Sequence, residues 1–236
     1  MAKKSIIKLP TVINEDCWFY DANKDVLKDY IGMPYISYSS VNSWNDPTYR
    51  EDFIKQKFGK IELDSGIYAE FGTFVGEAIE NGEFGENPNN FQGLENLDLD
   101  ALRPKGAQYE RFVMIPFAGF IFIGFIDVLK DSKVRDVKTG GTKKEDHYSS
   151  NAYRQTTLYA KALDLEGVEN VTTDVYFIRR TGSHVKPPLV ISDEQFEILL
   201  EYNEEKAQEA LEYVQKTVEE ISECFKTFVK VFGVPK

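Results

Sequence analysis

Three charged residues between positions 124 and 141 have the types and the spacing to bind a divalent metal ion. Asp127 ends a strongly apolar run, and Asp136 and Lys138 follow a short charged segment. A hairpin that turns at residues 131–132 would set Asp127 opposite Asp136, with Cβ atoms about 4.5–5.5 Å apart. Because two carboxylates at that distance repel each other, a divalent cation between them would reverse the sign of the interaction. A register slip of one residue would remove this arrangement.

Lys138 lies two residues after Asp136, so the two side chains emerge on the same face of a strand. Two carboxylates beside an ammonium suit phosphodiester hydrolysis, because Mg²⁺ prefers oxygen ligands and bridges to phosphate. The metal lowers the pKa of a bound water and neutralises charge on the phosphate, and Lys138 would orient that water or stabilise the transition state. The alternative is a solvated hairpin end, which is the usual meaning of so short a pattern. The apolar run before Asp127 favours the metal site.

Around these residues, the hydrophobic periodicity predicts an α/β fold with a central mixed β-sheet flanked by helices. Strands are expected at 108–117, 119–129, 133–139 and 172–180. Helices are expected in part of 14–31, after the serines of 36–44 to about Phe58, at 70–82 and at 148–164. A long amphipathic helix is expected from Ser192, which begins a Ser-x-x-Gln capping pattern. Residues 83–106 are rich in Gly, Asn, Pro and acid, and we expect a long loop there, as a mobile flap or an insertion.

Composition limits the classes of protein to which the chain can belong. Its 236 residues suffice for one large domain, and we expect a single domain over 1–236. The net charge of −11 argues against a protein that coats nucleic acid, but it allows a basic groove on an acidic enzyme. No apolar run is long enough to cross a bilayer, and no signal peptide is expected. Cys17 and Cys224 fit a reducing setting, so we expect a cytoplasmic location, in the host cytoplasm if the protein is viral.

Five short segments, in this order, resemble the motifs of one nuclease family. They are SYSSVNSW (37–44), GTFVGEAIE (72–80), GFID (124–127), RDVKTG (135–140) and QTTLY (155–159). The chain therefore resembles the PD-(D/E)XK nuclease superfamily, most closely its RecB-like and phage-exonuclease branch. The resemblance covers residues 36 to about 180. It implies a restriction-endonuclease-like core to which helices are added at both ends.

The resemblance also implies roles for individual residues. Asp127 and Asp136 would be the metal ligands, with the backbone carbonyl of Val137 beside them, and Lys138 would be the catalytic lysine. Four further residues would bind DNA or order the site: Ser39, Arg154, Gln155 and Tyr159. Gln155 and Tyr159 lie one helical turn apart and share a face. The expected cofactor is Mg²⁺, with Mn²⁺ as a substitute.

The chain departs from the family pattern at two points. Gly76 stands where the family's helix motif carries a histidine, so Glu77, or alternatively Glu80, would supply the missing oxygen ligand. The second departure concerns the iron–sulfur cluster of several RecB-like nucleases, which is held by four cysteines. Because this chain has 2 cysteines, we expect no cluster.

The activity implied by the resemblance is that of a Mg²⁺-dependent DNA exonuclease in phage recombination, replication or repair. Two alternatives are a structure- or end-specific endonuclease of the same fold and a catalytically silent DNA-binding or assembly module. Expected partners are DNA, further copies of the chain bound through the C-terminal helix, and a single-strand annealing protein. Basic residues that flank the inferred site would form a DNA channel: Lys143, Lys144, Arg154, Arg179 and Arg180.

Overall fold

The computed structural model describes residues 35–233 except 65, 118, 142, 143 and 151. The helix expected within 14–31, Cys17 and Lys143 lie outside the described residues. The chain divides into two compact units. Among the described residues, one unit is drawn from 35–63, 112–124 and 208–233, and the other from 64–111 and 125–207. The expectation of a single domain over 1–236 stays a prediction.

The described strands form one mixed sheet, as the sequence predicted. They are β1 (Tyr35–Ser37), β2 (Gln108–Phe117), β3 (Phe120–Lys130), β4 (Lys133–Gly140), β5 (Thr172–Thr181) and β6 (Val190–Leu200). Their order is β1-β3-β4-β5-β6, and β2 pairs with β3. The β1–β3 and β4–β5 pairs are parallel, whereas the β3–β4 and β5–β6 pairs are antiparallel.

Helices flank this sheet. They are α1 (Tyr38–Asn45), α2 (Arg50–Lys57), α3 (Ile67–Asn81), α4 (Leu99–Leu102), α5 (Glu145–Ser149), α6 (Gln155–Leu165) and α7 (Glu204–Phe232). The apolar face predicted for α3 is buried, and the helix ends at Gly82, whose φ of 84° only glycine adopts without strain. None of the described helices is both long and apolar enough to cross a membrane.

The hairpin that joins β3 and β4 has the predicted register. Lys130 pairs with Lys133 and Leu129 with Val134. Asp131 and Ser132 form the turn with φ values of 47° and 62°, which is the type I′ geometry that matches the twist of two-residue hairpins. The ladder ends one pair further, at Val128 and Arg135. The next residues along the two strands are Asp127 and Asp136, so both acids lie where the hairpin opens.

The helix expected from Ser192 is wrong in its first part, because residues 190–200 form strand β6 and α7 begins at Glu204. In β6, Phe196 pairs with Phe177 of β5, and their ring centroids lie 5.6 Å apart. Pairing with β5 satisfies the backbone hydrogen bonds of both strands, and this tertiary gain outweighs the local helical spacing. The helical stripe holds from Ala207 onward, where Val214, Val218 and Ile221 are also buried.

Three other predicted segments differ in detail. The helix expected at 148–164 is two helices, α5 and α6, with a non-helical connection between them. The segment from 36 to Phe58 contains β1, α1 and α2 rather than one helix. The loop at 83–106 contains a 3₁₀ turn and α4, and it buries Phe91, Leu97 and Leu102 in the core of the second unit. A segment anchored by three buried side chains is held to that core.

Candidate active site

An open cavity in the second unit is lined by most of the candidate catalytic residues. Its volume is about 330 Å³. Helix α3 contributes Gly72, Thr73, Val75, Gly76, Ile79 and Glu80, strand β2 contributes Glu110, β3 contributes Asp127, and β4 contributes Val137, Lys138 and Thr139. Four of the sequence-predicted residues therefore line the same cavity: Asp127, Val137, Lys138 and Glu80, the alternative to Glu77.

Asp136 lies directly beside this cavity and is fully buried. Its Oδ1 atom accepts a hydrogen bond from Nζ of Lys138 at 2.8 Å. Burial acts to lower the pKa of the Lys138 ammonium, but the charges of Asp136 and Asp127 outweigh burial and raise this pKa above its usual value. Lys138 is therefore a permanent cation at the cavity wall.

Asp127 is held from the opposite strand. Its Oδ2 atom accepts a hydrogen bond of 2.6 Å from the backbone N–H of Val137. Burial, followed by repulsion from Asp136, raises the pKa of the Asp127 carboxyl to about 7. The charge of Asp136 thus opposes the ionisation of Asp127, and this is the electrostatic cost that a bound cation would remove.

A third side chain, Tyr153, holds Asp136, and the sequence analysis missed it. The Tyr153 hydroxyl donates to Oδ2 of Asp136 at 2.5 Å and lies 3.0 Å from Oε1 of Gln155. Gln155 in turn donates from Nε2 to the hydroxyl of Tyr159 at 3.0 Å. A chain of polar contacts therefore runs from Lys138 through Asp136 to Tyr159. Gln155 and Tyr159 thus lie close to the predicted ligands, and their role in ordering the site stays a prediction.

The missing acid on α3 is better matched by Glu80 than by Glu77. Glu80 lines the cavity, whereas Glu77 is not among the described residues that do so. The lining of the cavity favours the alternative, Glu80, and a metal-binding role for either glutamate stays a prediction. At Gly76 an added Cβ would meet no atom within 4 Å, so the position of the family's histidine faces open space.

Glu110 is a further acid at the cavity that the sequence analysis did not identify. Burial, with contributions from Glu80 and Asp136, raises its pKa above the usual value. Its φ of 47° lies in the left-handed region, which is uncommon for a non-glycine residue inside a strand. The sequence carries no signal for this, since Glu110 belongs to the ordinary strand pattern QYERFVMIPF.

The donor set fits a hard divalent cation. Asp127 and Asp136 carry carboxylate oxygens, and Val137 lines the same cavity, while metal binding by its backbone carbonyl stays a prediction. Within the described part of the chain, no three His, Cys, Asp or Glu side chains are close enough to enclose a metal ion. Two carboxylates suit Mg²⁺, because this ion keeps several waters and is commonly bound through one or two protein carboxylates.

The other predicted contacts are placed differently. Ser39 belongs to the other compact unit, on α1, where its hydroxyl lies 2.8 Å from that of Ser37. Arg154 donates to the backbone oxygen of Ala152 at 3.0 Å. Arg179 forms ion pairs with Glu145 and Glu194, so its charge is neutralised within the chain. The DNA-binding roles of Ser39 and Arg154 stay predictions.

Comparisons with known proteins bear on the family and the fold of this chain. The family model of the PD-(D/E)XK nuclease superfamily matches residues 75–227, which is more than half of the chain. Among curated protein sequences, none is significantly similar. A crystal structure of a candidate exonuclease from Eubacterium rectale has a TM-score of 0.54 at 12% identity, and the alignment covers 82% of each chain.

A second similar structure is an alkaline exonuclease from Laribacter hongkongensis. Its TM-score is 0.47 at 11% identity, and the alignment covers 83% of this chain and 92% of that one. At such low identities the likeness concerns the fold alone. The mixed sheet flanked by helices is thus that of the PD-(D/E)XK nuclease fold.

Proposed function

Because this chain belongs to the PD-(D/E)XK nuclease superfamily, we propose that it is a Mg²⁺-dependent deoxyribonuclease that removes nucleotides from DNA ends. The observation that carries this proposal is the pairing of Lys138 with Asp136 at 2.8 Å beside the cavity that Asp127 lines. A nuclease of this superfamily needs two metal-binding carboxylates and a cation next to the scissile phosphate. All three residues are present in this chain.

Some residues at the cavity would bind the metal, and others would stabilise the charge of the transition state. Asp127, Asp136 and the Val137 carbonyl would hold Mg²⁺, which when bound supplies a water of lowered pKa and neutralises charge on the phosphate. Lys138 is the group that donates a hydrogen bond to the attacking water or to the phosphate oxygens as negative charge develops there. Tyr153 keeps the Asp136 carboxylate in a fixed orientation.

Exonuclease action is tested with supercoiled, nicked and linear forms of one plasmid, each incubated with Mg²⁺ or with chelator and sampled over time. We expect the linear form to be consumed from its ends, the closed circle to persist, and the chelator to stop the reaction. Mn²⁺ should restore activity after chelation. Rapid linearisation of the supercoiled form would instead support an end- or structure-specific endonuclease.

A catalytically silent DNA-binding module is distinguished by an Asp136→Asn variant. We expect this variant to lose cleavage and to keep DNA binding, since most of the affinity comes from phosphate contacts. Asp131→Asn is the matched control, because it removes the same charge from the same hairpin at an exposed turn. If wild type and Asp131→Asn both leave linear DNA intact with Mg²⁺, the enzyme proposal is wrong.

The biological setting belongs to the same proposal. We place the enzyme in phage recombination, replication or repair in the cytoplasm, with a single-strand annealing protein as a partner. Assembly of several copies through α7 is compatible with the end of this helix, where Val231 and Phe232 are exposed. A sedimentation experiment on the full chain, and on a variant with serine at both positions, tests the assembly.

A further inference from the structure

An aromatic and cationic cluster lies on the surface of the second unit. Tyr68 of α3 is 38% exposed, and the guanidinium carbon of Arg180 lies 3.9 Å from the centre of its ring. The ring of His184 meets Tyr68 edge-on, with ring centroids 5.9 Å apart and an interplanar angle of 87°. The backbone N–H of His184 donates to the Tyr68 hydroxyl at 3.2 Å. These three residues are called the Tyr68 cluster below.

The charge of Arg180 sets it apart from the arginine beside it. Arg179 is neutralised by Glu145 and Glu194, and Arg135 by Asp174 and Glu197. Within the described residues, Arg180 forms no ion pair with a carboxylate and contacts the face of Tyr68 instead. In a chain of net charge −11, a guanidinium without an acidic partner is available for an anionic ligand.

Two elements connect this cluster to the catalytic cavity. On α3, Tyr68 precedes Gly72 by four residues and Gly76 by eight, so the three share one face of the helix. Gly72 and Gly76 line the cavity, and one helical turn advances about 5.4 Å. The Tyr68 cluster therefore continues the line of the cavity toward the start of α3.

The sheet gives the second connection. Thr139 of β4 lines the cavity, and the next residue, Gly140, pairs with Arg179 of the parallel strand β5. Arg180 follows directly, at the same carboxyl edge of the two strands. Ligands of sheets with parallel strands gather at this edge, because the loops that leave it face a common space.

The chemistry of the cluster fits one nucleotide. A guanidinium presents a planar set of N–H donors that matches phosphate, and it also stacks on aromatic rings. Exposed aromatic side chains bind unpaired bases by stacking, without preference for sequence. On these grounds we propose that Tyr68, Arg180 and His184 form a subsite for one unpaired nucleotide of the DNA strand, with its phosphate on Arg180 and its base against Tyr68. This inference rests on the proposed nuclease function.

The test measures coupling between the protein and a single nucleotide. The affinity of catalytically inactive Asp136→Asn protein for labelled DNA with a single-stranded end is measured by fluorescence anisotropy. Substrates carry one abasic nucleotide at successive positions of that end. We expect Tyr68→Ala to weaken the binding of intact DNA about tenfold. At one position the abasic substitution should weaken the parent similarly and leave the Tyr68→Ala protein unaffected.

Further variants separate the base contact from the phosphate contact and from folding. Arg180→Gln should weaken DNA binding and lower the salt dependence of the affinity by about one released ion. The control is Arg111→Gln, which removes a surface cation paired with Glu166 and should change the affinity less than twofold. Tyr68→Phe keeps the ring and loses only the hydroxyl contact with His184, so it should bind DNA as the parent does. Thermal unfolding of each variant reports any loss of structure.

The outcomes distinguish the subsite from the function on which it rests. If wild type degrades DNA and no abasic position couples to Tyr68, the subsite is overturned and the nuclease proposal stands. If Tyr68→Ala and Tyr68→Phe weaken binding equally, at equal thermal stability, the ring does not stack on a base and the subsite is also overturned. If neither wild type nor the Asp136→Asn protein binds DNA, both inferences fail.

Discussion

The hydroxyl of Tyr153 donates a hydrogen bond of 2.5 Å to Oδ2 of Asp136, whose Oδ1 atom accepts one of 2.8 Å from Lys138. The carboxylate is thus held by Lys138 of its own strand, β4, and by Tyr153 of the connection between α5 and α6. Because Asp136 is fully buried, water cannot reach its carboxylate, and these two hydrogen bonds satisfy its oxygens instead. We therefore expect the orientation of this acid to depend on Tyr153 as well as on the strand that carries it.

Tyr153→Phe should lower kcat about ten- to a hundredfold and change KM little. A hydrogen bond to a charged group contributes about 1.5–3 kcal/mol, and the loss falls on the orientation of Asp136 rather than on DNA contacts. Steady-state rates on linear DNA, with Mg²⁺ varied, measure the effect. Tyr49→Phe is the control, because Tyr49 is an exposed residue of the other unit. An unchanged kcat would mean that strand β4 alone orients Asp136.

Lys138→Ala should reduce turnover by about two to three orders of magnitude, the usual effect of removing one donor that stabilises transition-state charge. Metal affinity should stay the same or increase, since the ammonium competes with a cation for the Asp136 carboxylate. Calorimetric titration with Mn²⁺ measures the affinity, and Lys130→Ala serves as a control near the same hairpin turn. Loss of metal binding in Lys138→Ala would assign this lysine a structural role.

Asp127→Asn should stabilise the metal-free protein at alkaline pH. The folded pKa of Asp127 is about 7, above its ordinary value of 3.8, so the folded state binds more protons between these limits. The free energy of unfolding of the wild type therefore falls as pH rises through this window, and the loss is complete above pH 7. The asparagine variant lacks this loss, and its amide oxygen can still accept from the Val137 N–H.

Thermal unfolding in chelator at pH 5 and pH 8 checks this expectation. The variant should exceed the wild type in Tm by several degrees at pH 8 and by much less at pH 5. Added Mg²⁺ should raise the Tm of the wild type only, since ligand binding stabilises the folded state. Asp131→Asn, an exposed control on the hairpin turn, should show neither effect. If the difference in Tm does not change with pH, the pKa of Asp127 is not raised in the folded state.

Glu80→Gln should impair activity more than Glu77→Gln. Glu80 lines the cavity with Asp127 and Lys138, so its charge acts on the bound metal or on the attacking water, whereas Glu77 serves as the neighbouring control on the same helix. Both substitutions remove one charge and retain the length of the side chain. Rates on linear DNA at limiting and saturating Mg²⁺ separate an effect on metal affinity from one on turnover. Equal, near-wild-type rates would remove α3 from the metal site.

Local patterns were sufficient for much of the candidate site. The apolar spacing of α3 predicted its buried face, because a period of 3.6 residues depends only on neighbours along the chain. Residues 124–141 are contiguous, so their sequence alone predicted the hairpin register that brings Asp127, Asp136 and Lys138 together. The strands at 108–117 and 172–180 could also be predicted from the sequence, since each is an uninterrupted run rich in residues that favour strands.

Contacts between distant segments decided the rest. Residues 190–200 form a strand because β5 offers them an edge, and no local period reports the presence of that edge. Glu80 rather than Glu77 lines the cavity because the packing of α3 sets its rotation about its own axis.

The clearest division is at Asp136. The sequence by itself determined that a carboxylate and a lysine would share one face of β4, since alternation in a strand is a property of the backbone. Only the tertiary structure decided that Tyr153 would hold this carboxylate. Tyr153 lies in the connection between α5 and α6, and its hydrogen bond to Asp136 joins segments that no local pattern in the sequence relates.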